Sequence, residues 1–271
     1  MPYEWLDELP LQPGPPDLRM GLRNADLDQW LLFDDRSRAE LALKADLLEH
    51  HDDVVLLQPG HEAAAGELLA EVERFVGAPA SGSDGPAALR ASALLATEDQ
   101  CLMADSGDGW RLVGGSLLFG NQWTLADKLG GTLTEIHAPT EGYEELLAAK
   151  VQTFFDNLRV GRVVARRNWF IHDRPDYHQP VAQAMAAIAE PDRVAGLFLR
   201  SERETLRRLP RSGAVVFTIK TQIAPLPEVR RRRGVATALA DYLATASPRA
   251  LRGKDAEDRD RALVAYLRAA A

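Results

Sequence analysis

The sequence predicts an α+β fold: a five-stranded antiparallel sheet with helices on one face, a helical unit before it and further helices after it. Three observations carry this. Apolar residues recur at three and four over residues 36–51, 62–76 and 143–158, the spacing of amphipathic helices. Five other runs, 97–104, 110–119, 162–171, 196–206 and 214–223, read as strands. Ser106-Gly107-Asp108-Gly109 and Pro210-Arg211-Ser212-Gly213 supply turn chemistry inside the first and last strand pairs, which favours antiparallel neighbours.

In chain order, five prolines among the first 20 residues (2, 10, 13, 15, 16) predict an extended arm. Arg36–His51 follows as a helix with Leu41, Ala45 and Leu48 on one stripe. Glu62–Val76 is a second, with Leu68, Leu69, Val72, Phe75 and Val76 inward. The Gly/Pro/Ser-rich run Gly77–Pro86 reads as a linker. Two strands, a helical stretch containing Tyr143, Leu147, Phe155 and Leu158, and three strands come next, and residues 228–245 and 255–270 are helical. Two strands, helices, then three strands is the order of a PAS-like domain, whose hollow between sheet and helices commonly holds a ligand. The expected divisions are 1–85 (arm and helical unit), 86–225 (PAS-like domain) and 226–271 (C-terminal helices).

Composition narrows the function. Of 271 residues, 46% are hydrophobic and 27% charged, ordinary values for a globular chain. The net charge of −8 hides an asymmetry: residues 1–60 carry thirteen Asp/Glu and five Lys/Arg, whereas residues 200–233 carry ten Lys/Arg and three Asp/Glu. The basic segment could face nucleic acid, the acidic N-terminus or an anionic ligand; the overall negative charge argues against a nucleic-acid partner. No stretch is apolar enough to cross a membrane and no signal peptide is visible, so a cytoplasmic protein without membrane contact is expected. One cysteine, Cys101, excludes a disulfide framework and a Cys-ligated cluster. Phosphate-binding and dinucleotide-binding glycine motifs are absent.

The candidate residues stand in three groups. His137, just before Pro139 and the 143–158 helix, is either bonded to a backbone carbonyl or an axial donor to haem iron, since neutral imidazole suits both. His172 and His178 flank a loop and are either exposed or at a pocket mouth. On the strand 196–206, period two puts Ser201, Arg203 and Thr205 on one face and Arg200, Glu202 and Glu204 on the other. An arginine among apolar neighbours needs a partner, either Glu202 or Glu204 on an adjacent strand or a ligand carboxylate. Arg166-Arg167-Asn168-Trp169 poses the same question, and Arg230–Arg233 reads as a solvated helix face.

Several of these stretches occur together and in order: Met20-Gly21-Leu22-Arg23, Glu98-Asp99-Gln100-Cys101-Leu102, Trp110–Ser116, Lys128-Leu129-Gly130, Ile136-His137-Ala138-Pro139, Arg167-Asn168-Trp169 and Glu202–Gly213 running on to Phe217-Thr218-Ile219. Over roughly residues 18–225 the chain resembles the haem-containing α subunit of the haem-dependent oxidative N-demethylases, of dimethylamine monooxygenase type. The resemblance implies a PAS-like domain that binds haem b and uses O₂ to oxidise a secondary amine to an aldehyde. It implies electrons from a partner reductase carrying flavin and an iron–sulfur centre and using NADPH. His137 matches the family's Ile-His-x-Pro motif and becomes the metal ligand. Arg203, Arg167, Lys128 and Trp169 become cofactor-binding candidates, and Glu202 and Tyr143 candidates for holding a cationic amine. Phe119–Trp123, Thr140-Glu141-Gly142 and Glu204 depart from the family pattern, which leaves the amine open. A PAS-like haem or small-ligand sensor without catalysis is the alternative.

Overall fold

A computed structural model describes residues 3–12, 20–140, 142–182, 191–245 and 254–269. Pro2, Pro13, Pro15 and Pro16 of the predicted arm lie outside them. Mixed helix and sheet is what the structure has, but the sheet is seven-stranded. Its strands are β1 (Arg23–Ala25), β2 (Val55–Leu57), β3 (Asp99–Asp105), β4 (Trp110–Ser116), β5 (Val163–His172), β6 (Phe198–Arg208) and β7 (Val215–Pro225). They lie in the order β1-β5-β6-β7-β3-β4-β2, all neighbours antiparallel. The five long strands are the five expected. The two extra strands are three residues each, too short to show a period, and they pair with the outer edges of β5 and β4. Both come from the first 60 residues.

The helices are α1 (Ser37–His50), α2 (Glu62–Val76), α3 (Gly85–Leu95), α4 (Leu125–Lys128), α5 (Leu133–Ile136), α6 (Ala149–Asn157), α7 (Pro191–Val194), α8 (Leu226–Arg231), α9 (Arg233–Thr245) and α10 (Lys254–Arg268). They cover both faces of the sheet, not one. The long central strands bury both of their alternating sets of side chains, as the near-continuous burial of β6 and β7 records. On one face Leu102, Val163 and Val216 pack against Leu68, Val72 and Leu89 of α2 and α3. Further along that face Leu199 and Ala224 meet Val229, Leu239 and Leu263 of α8, α9 and α10. On the other face Cys101, Val164, Leu206 and Ile219 meet Leu125, Leu133 and Phe155 of α4, α5 and α6.

Five local expectations are corrected. The arm is not wholly extended: Glu4–Glu8 forms a 3-10 turn, and Leu6, Leu9 and Leu11 enter the α8–α10 core. The linker ends at Asp84, where Pro86 in the first turn starts α3, an unexpected helix. The buried stripe of α1 is Glu40, Lys44, Leu47 and Leu48 in place of Leu41, Ala45 and Leu48. Those two charges are buried because the sheet supplies partners: Glu40 bonds Lys220, and Lys44 reaches the Glu98 carbonyl at 2.5 Å and Asp99 at 3.3 Å. Residues 143–158 open with a π-helical turn, Glu144–Ala148, before α6, and the helix expected over 228–245 breaks at Arg232.

Candidate functional site

The face under α4–α6 carries the candidate chemistry. Two capping boxes set it up. The Thr124 hydroxyl accepts from Asp127 N–H at 3.2 Å while the Asp127 carboxylate accepts from Thr124 N–H at 2.8 Å, and Thr132 and Glu135 repeat the pattern at 3.2 and 2.8 Å. These boxes let two four-residue helices stand alone. They put Lys128 at the end of α4 and His137 at the C-terminal cap of α5.

The half-buried His137 meets the first reading of its sequence position, a histidine bonded to a backbone carbonyl. Its Nδ1 lies 2.7 Å from the carbonyl oxygen of Leu133. A carbonyl only accepts, so Nδ1 carries the proton and Nε2 keeps its lone pair. Among the described residues nothing bonds Nε2. Burial holds the pKa of His137 below its usual value, with Lys128 and Arg166 adding to this against the raising effect of the Leu133 bond. The ring is therefore neutral near pH 7. It stacks on Tyr143, with centroids 4.3 Å apart and planes within 7°. Tyr143 is buried, its hydroxyl has no hydrogen-bond partner, and burial pushes its pKa up to about 12.

Strand β6 supplies the floor. Glu202 faces Asn168 and Thr221 across the ladder, and Glu204 faces Arg166 and Ile219. Glu202 accepts from Arg200 Nε at 3.1 Å. Glu204 meets Arg166 Nε at 3.2 Å and accepts from Asn168 Nδ2 at 3.0 Å. Burial pushes Glu204 up to about 7, Arg166 opposing and Glu202 assisting. The Asn168 Oδ1 is a second buried polar atom without a partner. Lys128 stands with its Nζ 4.3 Å from the Trp123 ring centre; burial lowers its pKa, while Cys101, Asp127 and Glu202 work in the opposite direction.

Arg200 is wholly buried and ties this floor to two loops. Nη2 donates to the Phe119 carbonyl at 2.5 Å and Thr221 Oγ1 at 3.2 Å, and Nη1 to the Tyr177 carbonyl at 3.0 Å. Sequence reasoning singled out neither its role nor the near-neutral pKa of Glu204. Of the two glutamates that its apolar neighbours pointed to, the structure pairs Arg200 with Glu202, on its own strand and not an adjacent one. His172 is buried at the end of β5, and His178 Nδ1 lies 2.6 Å from the Leu118 carbonyl.

The structure thus brings His137, Tyr143, Lys128 and Glu202 to one face and puts Arg203, Arg167 and Trp169 on the other. Arg167 and Arg203 are register partners, one residue out of phase with Glu202. Arg203 Nη2 donates to the Gln29 carbonyl at 2.7 Å. Arg167 donates to Gln222 Oε1 and pairs with Glu8, both at 2.7 Å. Trp169 packs on Tyr242 with centroids 5.5 Å apart. In the basic run Arg230–Arg233, Arg231 and Arg233 are exposed as a solvated face would be, while Arg232 pairs with Asp7 at 2.5 Å and Arg230 covers the Tyr266 ring at 4.8 Å.

A cavity of about 520 Å³ opens at the edge of the His137 layer, between Leu22, Phe154 and Val164. His137 does not line it. Among the described residues no cluster of three or more His, Cys, Asp or Glu could hold a metal. A single imidazole with a fixed tautomer instead suits an iron whose remaining ligands come largely from a macrocycle, and the unpartnered Tyr143 hydroxyl and Asn168 Oδ1 on the same face fit a bound group. Among the described residues no helix is long and apolar enough to cross a membrane.

A family model described as haem-dependent oxidative N-demethylase, alpha subunit-like matches residues 75–264. No curated protein matches the chain. The matched range takes in α3–α9, most of α10 and all five long strands, with Lys128, His137, Tyr143 and Glu202 among them. The chain belongs to the haem-dependent oxidative N-demethylase alpha subunit-like family.

Proposed function

We propose that this chain is the haem b subunit of an enzyme that uses O₂ to remove a methyl group from a secondary amine. Electrons come from a partner reductase carrying flavin and an iron–sulfur centre and using NADPH. The family match supports haem and oxidative N-demethylation, and its alpha-subunit description implies a partner subunit. The order of the long strands, two before α4–α6 and three after, supports a PAS-like hollow between those helices and the sheet. The observation that carries the reading is the His137 imidazole, neutral, tautomer-locked through Leu133 and free at Nε2.

In this reading His137 Nε2 would hold the haem iron, and Tyr143 fixes the plane of the imidazole ring. Lys128 would offer a positive charge to the cofactor's carboxylates. Haem, when bound, supplies O₂ binding and its reductive activation. The chain's own groups do the rest. Glu202 attracts the ammonium form of the amine, and the Tyr143 hydroxyl and Asn168 Oδ1 are free to hydrogen-bond it. Glu204, near neutrality in pKa, holds or releases a proton at its carboxyl oxygen. The apolar layer of Leu125, Leu133 and Phe155 excludes water. One N-methyl group, O₂, two electrons and two protons become the demethylated amine, an aldehyde and water.

The test is amine binding to the haem-loaded protein, followed in the Soret band with dimethylamine. A saturable shift that weakens at least ten-fold in Glu202→Gln is expected. No shift up to solubility, or an unchanged midpoint in the variant, refutes the assignment of Glu202.

A further inference from the structure

We propose that the opposite face of the sheet carries a second site, built for a small organic carboxylate and separate from the His137 layer. A cavity of about 310 Å³ opens there beside β1 and β5, lined by Arg23, Arg167, Arg203, Gln29 and Glu8 among others. Its volume is at the small end of ligand pockets. Arg203 is 7% exposed, and its buried Nη1 has no hydrogen-bond partner, although Nη2 of the same guanidinium donates to Gln29. A buried charged donor left unsatisfied is costly, so it marks a place where an acceptor belongs.

The charges around it are unbalanced. Arg167 stands directly opposite Arg203 across the β5–β6 ladder, and Arg23 has no ion pair among the described residues. The negative groups near Arg203 are Glu98 and Glu8. Glu98 is buried on Leu32 N–H and Thr97, and its burial disfavours the charged form. Glu8 is largely exposed and, among the described residues, pairs only with Arg167, at 2.7 Å. That contact shows what the cavity accepts: a carboxylate at its exposed rim, gripped by guanidinium nitrogens. A free carboxylic acid fills the same role more deeply, reaching Arg203 Nη1 and Arg23, with the rest of its skeleton in the cavity.

Calorimetry with succinate at fixed ionic strength tests this, with inorganic phosphate as a second arm. Saturable succinate binding is expected, at least ten-fold weaker in Arg203→Gln and several-fold weaker in the exposed variant Arg23→Gln. Glu8→Gln removes the competing carboxylate and strengthens binding several-fold. His137→Ala leaves it unchanged, which separates this site from the haem reading. No succinate binding, binding of phosphate alone, or a succinate affinity indifferent to both Arg203 and Arg23 overturns the proposal.

Discussion

Replacing Arg200 with Met tests whether one buried guanidinium holds the floor of the site. Arg200 is 0% exposed and donates to Glu202, to the Phe119 and Tyr177 carbonyls and to Thr221. Methionine keeps the apolar stem but leaves the Glu202 carboxylate and two backbone carbonyls without their donor. Breaking one side of a buried pair costs about 3–5 kcal/mol because the remaining charge stays desolvated. Each kcal/mol is worth about 2–4 °C of Tm in a large single domain. The expected loss is therefore about 6–20 °C in a calorimetric or fluorescence melt. Arg200→Lys, which retains the charge but only one donor centre, falls between variant and parent. A Tm within about 2 °C of the parent for Arg200→Met refutes the reasoning, since it means those acceptors find water.

Other expectations follow from the same layer. Glu204 has its pKa raised from 4.5 to about 7, so its contribution to stability is fully present below about pH 4.5 and is lost as pH rises through about 7. Urea melts across that window are expected to show a decline that Glu204→Gln lacks; identical pH slopes for both proteins contradict the assignment. Cys101 is buried and its thiol is pushed up to about 12, so a thiol reagent leaves the native protein unlabelled and reacts only on unfolding. Rapid stoichiometric labelling of native protein rules this out. A Cβ at Gly115 would run into the Gln100 carbonyl oxygen and come within 3.0 Å of the Cys101 Cα, so Gly115→Ala forces β3 and β4 apart. It is expected to cost about 1–3 kcal/mol in denaturant melts, and a neutral effect argues against that close approach.

The long strands were legible because β3–β7 each carry enough residues for a pattern and sit beside recognisable turns. β1 and β2 were not, since three residues among charged neighbours carry no period. The helix α3 was hidden by its own start, because Gly85-Pro86 reads equally as linker and as helix opening. Helices on both faces could not be read from alternation alone. Arg203, Lys220 and Thr205 look solvent-facing until their cross-strand and α1 partners are known. At the site, period two correctly separated Glu202 and Glu204 from Arg203. It could not reveal that Arg167 would come into register with Arg203 from a strand more than thirty residues earlier, on the far face from His137. The His137 motif was legible as chemistry, but the Leu133 bond that selects its free nitrogen required coordinates.

In the proposed function His137 Nε2 would hold the haem iron. The most direct measurement is the absorption spectrum of the reconstituted protein beside His137→Ala. One haem per chain with a sharp Soret band is expected in the parent. In the variant that band is lost or displaced, and added imidazole restores it. An unchanged Soret position and haem stoichiometry in His137→Ala, or no haem uptake by the parent, contradicts it.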